Sequence, residues 1–223
     1  MQCRSPWEPV GVWACFGGQL DRCVRWVSRQ ERVLAVALEV FGRYGFRKAS
    51  MDEIARCADI SRQGLYLRFA SKEALFRAAV RQELDTALGD VSRCLNEEGV
   101  GLEQRAVAAL DAWLGRYVGS MLASDVGNPL QNPAMQLGDL FDPAIAACRA
   151  RLSAAIAAAM SDSDRRRLRV TPEEIAGALL TVAQGAKYLS NALVESREEF
   201  VARMTAAVRV VFAGFGATAE RTP

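Results

Sequence analysis

The chain has 223 residues with 51% hydrophobic and 24% charged content, the balance of an ordinary folded domain, which excludes a wholly disordered chain. Histidine is absent, which excludes a Ser-His-Asp triad, a Cys-His pair and any histidine metal ligand. The net charge of +2 is uneven: residues 29–81 carry eleven Arg/Lys against six Asp/Glu, and residues 82–223 carry fourteen against eighteen. A basic segment joined to an acidic remainder points to a polyanionic partner for the first part alone, although a solvated surface has the same charge signature.

Residues 1–28 hold three tryptophans, two prolines, three glycines and three of the six cysteines, without helical or strand periodicity. They read as a poorly ordered N-terminal extension. From Ser28 onward the chain reads as successive helices. Ser28-Arg29-Gln30-Glu31 has the form of a capping box, followed by Val33, Leu34, Ala37, Phe41 and Tyr44 at helical spacing. Gly45 ends this helix. Ser50-Met51-Asp52-Glu53 is a second capping box, opening a short helix with Met51, Ile54, Ala55 and Ala58 on one face. After a tight connection at Asp59-Ile60, Ser61 caps a third helix from Arg62 to about Phe69, and Ser71 caps a longer fourth.

The remainder is also helical in pattern. Residues 102–123 suit one apolar-rich helix, and residues 125–141, rich in Gly and Asn-Pro, suit a long irregular connection. Asp142-Pro143 suits a cap followed by a first-turn proline, starting a helix to about Met160. Residues 162–169 read as a charged loop. Thr171-Pro172-Glu173-Glu174 and Ser196-Arg197-Glu198-Glu199 are capping boxes for two last helices, to about Val194 and Phe215. The chain is expected to be all-α.

The two short helices around residues 50–69 stand at the spacing of a helix-turn-helix. The second must project from a small core so that its N-terminal half enters the major groove. Ile60, Leu65 and Phe69 are its inward anchors, and Arg62, Gln63, Tyr66, Leu67 and Arg68 its outward face. These same residues would also suit an ordinary solvated helix.

This segment resembles the TetR family of transcriptional regulators. The resemblance covers residues 29–81. It rests on Phe41-Gly42-Arg43-Tyr44-Gly45-Phe46, Ala49-Ser50-Met51-Asp52-Glu53-Ile54-Ala55, Ala58-Asp59-Ile60-Ser61, Leu65-Tyr66-Leu67-Arg68-Phe69 and Ser71-Lys72-Glu73-Ala74-Leu75. It implies three parts: an extension at 1–28, a DNA-binding domain at 29–75, and an effector-binding and dimerisation domain at 76–217. Ser50 and Ser61 would begin helices whose free N–H groups favour a phosphate. Tyr66, Arg68 and Lys72 would contact the DNA backbone, and Arg62 and Gln63 would read guanine and adenine edges. Leu67 suits a thymine methyl or a partly buried position. Asp59 replaces the glycine common at the turn, and aspartate tolerates the left-handed conformation. Arg68 replaces an aromatic residue or histidine.

The resemblance further implies a homodimer through the last two helices and a small-molecule effector held between helices. Trp113, Tyr117, Met121, Met135, Phe141, Gln184, Tyr188 and Asn191 are candidates for its pocket, and equally for core or a subunit interface. The expected function is that of a sequence-specific transcriptional regulator. It would repress from a palindromic operator on double-stranded DNA and be released by a small, largely apolar effector. A thiol- or redox-responsive regulator on the same scaffold is the alternative, motivated by Cys57 and Cys94. No CxxC pair or metal-ligand set occurs, no cofactor is implied, and the loop carboxylates Asp125, Asp139 and Asp142 do not amount to an enzyme site. No apolar run reaches the roughly 18–20 residues of a membrane span. A cytoplasmic, reduced protein is expected.

Overall fold

The computed structural model describes residues 29–118, 137–188 and 196–213, and all its regular elements are helical. In chain order they are α1 (Arg29–Lys48), α2 (Met51–Cys57), α3 (Arg62–Tyr66), α4 (Lys72–Leu95) and α5 (Leu102–Trp113), then a 3-10 turn (Gly115–Tyr117). Beyond residues 119–136 come α6 (Gly138–Ala159), α7 (Asp162–Leu168), α8 (Pro172–Tyr188) and α9 (Arg197–Phe212). Among these helices none is long and apolar enough to cross a membrane.

The first core forms where α1, α2, α3 and the start of α4 meet. Gly45 adopts φ 74°, ψ 155°, a conformation that breaks the helical path of α1 and turns Phe46 back onto the core. Phe41, Phe46 and Phe76 then pack as an aromatic cluster, with centroids 4.9–5.7 Å apart, two of the three contacts edge-on. Ile54 of α2, Leu65 of α3 and Leu75 of α4 are fully buried beside it. Helix α3 is shorter than its sequence pattern suggests. It ends at Tyr66, and the backbone N–H groups of Arg68 and Phe69 both close on the Leu65 carbonyl. That tight wrap turns Phe69 inward, where it is buried.

The second core lies among α4 to α9. Helix α4 places Leu84, Ala87, Val91 and Leu95 against α5 and α6. Helix α6 buries Leu140, Ala144, Cys148, Leu152 and Ile156, one per turn. Helix α8 buries Ile175, Ala176, Leu179, Leu180 and Ala183, and α9 buries Phe200, Met204, Val208 and Phe212. No polar or charged residue among those described is buried.

Three further elements differ from the sequence pattern. The helix expected over 102–123 stops at Trp113: Leu114 leaves helical geometry and the chain tightens into the 3-10 turn, while residues 119–123 lie outside the described residues. Helix α6 begins at Gly138, so Asp142-Pro143 sits inside it rather than capping it. Residues 162–168 form a helix, not a loop. Ser161 accepts from the Asp164 N–H at 3.1 Å while the Asp164 carboxylate accepts from the Ser161 N–H at 3.3 Å, and Arg169 ends the helix at φ 54°. The serine-acid spacing was present in the sequence, but the charge density of the segment suggested solvent.

The serine side of the remaining serine caps forms as expected. Ser50, Ser61, Ser71 and Ser196 each accept from the N–H three residues on, at 3.0–3.2 Å. Thr171 and Glu174 form a reciprocal box, with bonds of 3.1 and 2.7 Å. Ser28 lies outside the described residues. Asp59 takes φ 53°, so the aspartate does occupy the left-handed turn between α2 and α3.

The joint between α5 and α9 is closely packed. Arg197 grips Asp111 with two bonds, Nε–Oδ1 at 2.9 Å and Nη2–Oδ2 at 2.6 Å. A Cβ on Gly115 would stand 1.9 Å from Asp111 Oδ1 and 3.1 Å from the Phe200 ring. Because Arg197 fixes that carboxylate, it cannot simply swing aside. Gly115→Ala is therefore expected to destabilise the fold by about 1–3 kcal/mol, read as a lower urea midpoint at unchanged m-value.

Candidate nucleic-acid interface

Three serine-capped helix starts, at Ser50, Ser61 and Ser71, are drawn together by two side chains. The Lys72 ammonium reaches back to the end of α1 and donates to the carbonyls of Phe46 at 2.9 Å, Ala49 at 3.1 Å and Arg47 at 3.4 Å. It also stands 4.6 Å from the centre of the Phe46 ring. The Arg62 guanidinium, at the start of α3, reaches the first turn of α2, with Nη1 2.9 Å from Asp52 Oδ2. The N-terminal ends of α2, α3 and α4 and the C-terminal end of α1 thus share one region.

Helix α3 has one buried side and one free side. Leu65 and the following Phe69 face the core, while Arg62, Gln63, Tyr66, Leu67 and Arg68 are all exposed. The sequence left Leu67 open between a groove contact and partial burial, and the structure leaves it 82% exposed. A leucine held that far into solvent gains nothing from the core. Arg62 lies over the Tyr66 ring at 5.5 Å, so the two side chains form one flat, cationic surface. Ser50 and Ser61 are exposed, their hydroxyl oxygens already engaged by the cap bonds.

Lys72 is placed differently from a side chain reaching into solvent. It is half-buried and its three N–H donors point to three backbone carbonyls, so it fixes the turn before α2. Two features of the region were missed in the sequence. Asp52 lay inside a capping-box sequence without a role of its own, and its pairing with Arg62 depends on how α2 and α3 cross. Arg47 and Lys48, exposed on the turn that Lys72 fixes, add positive charge next to Ser50. Their adjacency to the serine was legible, but not the fold that presents them.

Of the effector candidates, Trp113 is buried, and its indole N–H has no hydrogen-bond partner among the described residues. Tyr117 donates to Glu83 Oε1 of α4 at 2.8 Å, and burial pushes its phenol far above the ordinary range, reinforced by the Glu83 charge. Arg116 lies 3.2 Å from the same Glu83 oxygen and 3.6 Å from Asp90 Oδ2. Phe141 and Gln184 are half-buried. Met121, Met135, Asn191 and the side chain of Tyr188 lie outside the described residues. Among the described residues no group of three or more His, Cys, Asp or Glu is arranged to hold a metal ion.

Comparison with known proteins agrees with this geometry. Residues 33–79 match the family model described as bacterial regulatory proteins, tetR family. The HTH-type transcriptional regulator RutR of Escherichia coli is 38% identical over 68 residues, 30% of this chain and 31% of the relative. The HTH-type transcriptional activator FasR of Mycolicibacterium smegmatis is 35% identical over 86 residues, 39% of each chain. The chain thus matches about a third of the length of these curated relatives. A TetR transcription regulator from Haloarcula marismortui superposes with TM-score 0.65 at 17% identity, over 84% of this chain and 98% of that one. The reduced form of E. coli NemR superposes with TM-score 0.64 at 18% identity, over 84% and 97%. The family-model match covers the helix-turn-helix and its surroundings, while the likeness of fold extends over most of the chain.

The placement of Lys72 makes a prediction. Lys72→Met keeps the length of the stem but leaves the three carbonyls without their donor. It is expected to cost about 1–3 kcal/mol in urea unfolding. The slope of log affinity for DNA against log salt should change by much less than the ~0.9 of a lost phosphate contact. Unchanged stability with the full change of slope would contradict the assignment.

Proposed function

We propose that this chain, whose helix-turn-helix segment places it in the tetR family of bacterial regulatory proteins, is a homodimeric transcriptional repressor. It holds a palindromic operator in double-stranded DNA and releases it when a small, largely apolar effector binds its C-terminal domain. The observation that carries the reading is the free side of α3, where five consecutive-turn side chains, Arg62, Gln63, Tyr66, Leu67 and Arg68, all stand in solvent. A buried leucine and phenylalanine fix the opposite side. In this reading Arg62 and Gln63 read base edges, Leu67 meets a thymine methyl, and Tyr66, Arg68, Ser50 and Ser61 contact the phosphate backbone. Lys72 supports the backbone contacts by fixing the turn that carries Arg47, Lys48 and Ser50.

The division of labour follows the two cores. The DNA-binding domain is assigned to 29–75, and the effector-binding and dimerisation domain to 76–217, although Phe76, Ala79 and Val80 at the start of the second segment still pack on the first core. The outer faces of α8 and α9 support a dimer. Ala178, Thr181 and Val182 of α8, and Ala206, Val210 and Ala213 at the end of α9, are small or β-branched and exposed, with Val210 76% exposed. Side chains of this size let helices of two subunits approach closely. A dimer places two recognition helices about 34–36 Å apart, on successive major grooves. The buried indole N–H of Trp113, without a partner among the described residues, supports an effector that carries a hydrogen-bond acceptor on an apolar body. The protein is assigned to the cytoplasm, where its DNA is.

A thiol-responsive regulator on the same scaffold, resting on Cys57 and Cys94, is the second reading. Burial pushes the Cys94 thiol up, and that of Cys148 to about 12, so neither is a ready thiolate at neutral pH.

The test is fluorescence anisotropy on a duplex selected from random sequence, over a salt series. Arg62→Ala is expected to cost about 1–3 kcal/mol at one base pair and to relax preference there. Arg68→Ala should weaken binding to all duplexes alike and flatten the salt slope by about 0.9. Variants that bind every duplex as the wild type does would contradict the reading.

A further inference from the structure

We infer that Asp52 is a specificity-determining residue. It holds the Arg62 guanidinium in the orientation that reads a guanine, although its place in the chain makes it look like a helix cap. The inference rests on the reading of α3 as the recognition helix.

Arg62 is the first residue of α3. An arginine at an exposed helix start would lose considerable rotamer freedom on ordering against a base, which weakens and blurs the contact. Here the guanidinium is restrained twice before any DNA arrives. Its Nη1 is 2.9 Å from Asp52 Oδ2 on α2, and its centre lies 5.5 Å from the Tyr66 ring on α3. One restraint is a charged bond from a neighbouring helix and the other a ring from its own, so together they restrain the direction in which the group points. With Nη1 on the carboxylate, the Nε and Nη2 edge is the one left to face O6 and N7 of guanine.

The pair is a weak stabiliser of the fold. The side chains of Arg62 and Asp52 are 65% and 60% exposed, and ion pairs this open contribute little to stability. A carboxylate beside a DNA-facing arginine also repels phosphate. An exposed Asp52 therefore makes sense less as a stabiliser than as a group that trades general affinity for discrimination. Asp52 also sits in the first turn of α2, next to the Ser50 cap, where its charge favours the helix. The test therefore has to read base preference and not affinity alone.

The experiment uses the full chain and a panel of duplexes in which each base pair of the selected operator is changed in turn. Competition binding is measured for the wild type, Arg62→Ala, Asp52→Ala, Asp52→Asn and the double variant Asp52→Ala with Arg62→Ala. Thermal unfolding confirms that each is folded, and Asp52→Asn keeps an acceptor oxygen should the alanine variant fail to fold. Arg62→Ala is expected to reduce preference at one position by about tenfold or more. Asp52→Ala should reduce preference at that same position, by roughly three- to tenfold, and leave the others intact. The double variant should be no worse there than Arg62→Ala alone, because Asp52 acts only through the arginine. Asp52→Asn should fall between the wild type and the alanine variant.

A uniform gain of affinity across the panel on Asp52→Ala, with preferences unchanged, would show charge repulsion alone and overturn the inference. Loss at a different position, or additive losses in the double variant, would do the same. If Arg62→Ala alters no preference while Asp52→Ala does, the assignment of Arg62 as the base reader is what fails. If Arg62→Ala alters one and Asp52→Ala none, only the role of Asp52 fails.

Discussion

The structure depends on α4 belonging to two cores at once. Its 24 residues span about 36 Å. Its first turns complete the first core, with Leu75 and Phe76 buried against Phe41 and Phe46. Its last turns complete the second, with Ala87, Val91 and Leu95 against α5 and α6. Both attachments are made of close-packed apolar side chains, which do not deform gradually. The helix-turn-helix therefore follows α4, and α4 follows whatever rearranges α5 and α6. Side-chain links along the shared helix reinforce this: Gln82 donates to the Glu31 carbonyl of α1, Arg77 pairs with Asp139 of α6, and Glu83 receives Tyr117 and Arg116.

This arrangement is what the proposed regulation requires. An effector shifts a population only by binding one state better than the other. A molecule that displaced the Tyr117 hydroxyl from Glu83 would act on a residue of α4 itself. Its binding energy would be felt where the two halves meet. The two ends of the chain of cause are then a few contacts apart: Glu83 lies on the same helix as Lys72, whose ammonium fixes the turn before α2. DNA recognition and effector binding are coupled through one rigid element in this account.

Much of this could be read from the residues. Capping serines marked the starts of α2, α3, α4 and α9, because a serine oxygen at a helix start satisfies a free N–H group in any context. The apolar periodicity gave the core of each helix, and Asp59 took the left-handed turn it was expected to take. What escaped was set by packing. The end of α5 at Trp113 follows from the approach of α9 to Gly115, which no local signal encodes. Helix α7 has a full capping box at Ser161 and Asp164, a signal masked by the dense charge of the segment. At the site, the outward face of α3 was legible from alternation with Leu65 and Phe69. The occupation of Lys72 by three carbonyls and the pairing of Arg62 with Asp52 were not. Both join residues ten or more apart, through helices whose crossing only the fold defines.

The central claim is that two copies of α3 read DNA together, as the paired heads of a dimer. Selecting bound duplexes from a random pool and sequencing them tests it most directly. The account predicts a two-fold symmetric motif whose half-site centres lie about 10–10.5 base pairs apart, or a multiple of that spacing. A pool enriched for a single, asymmetric site, or not enriched at all, would contradict it.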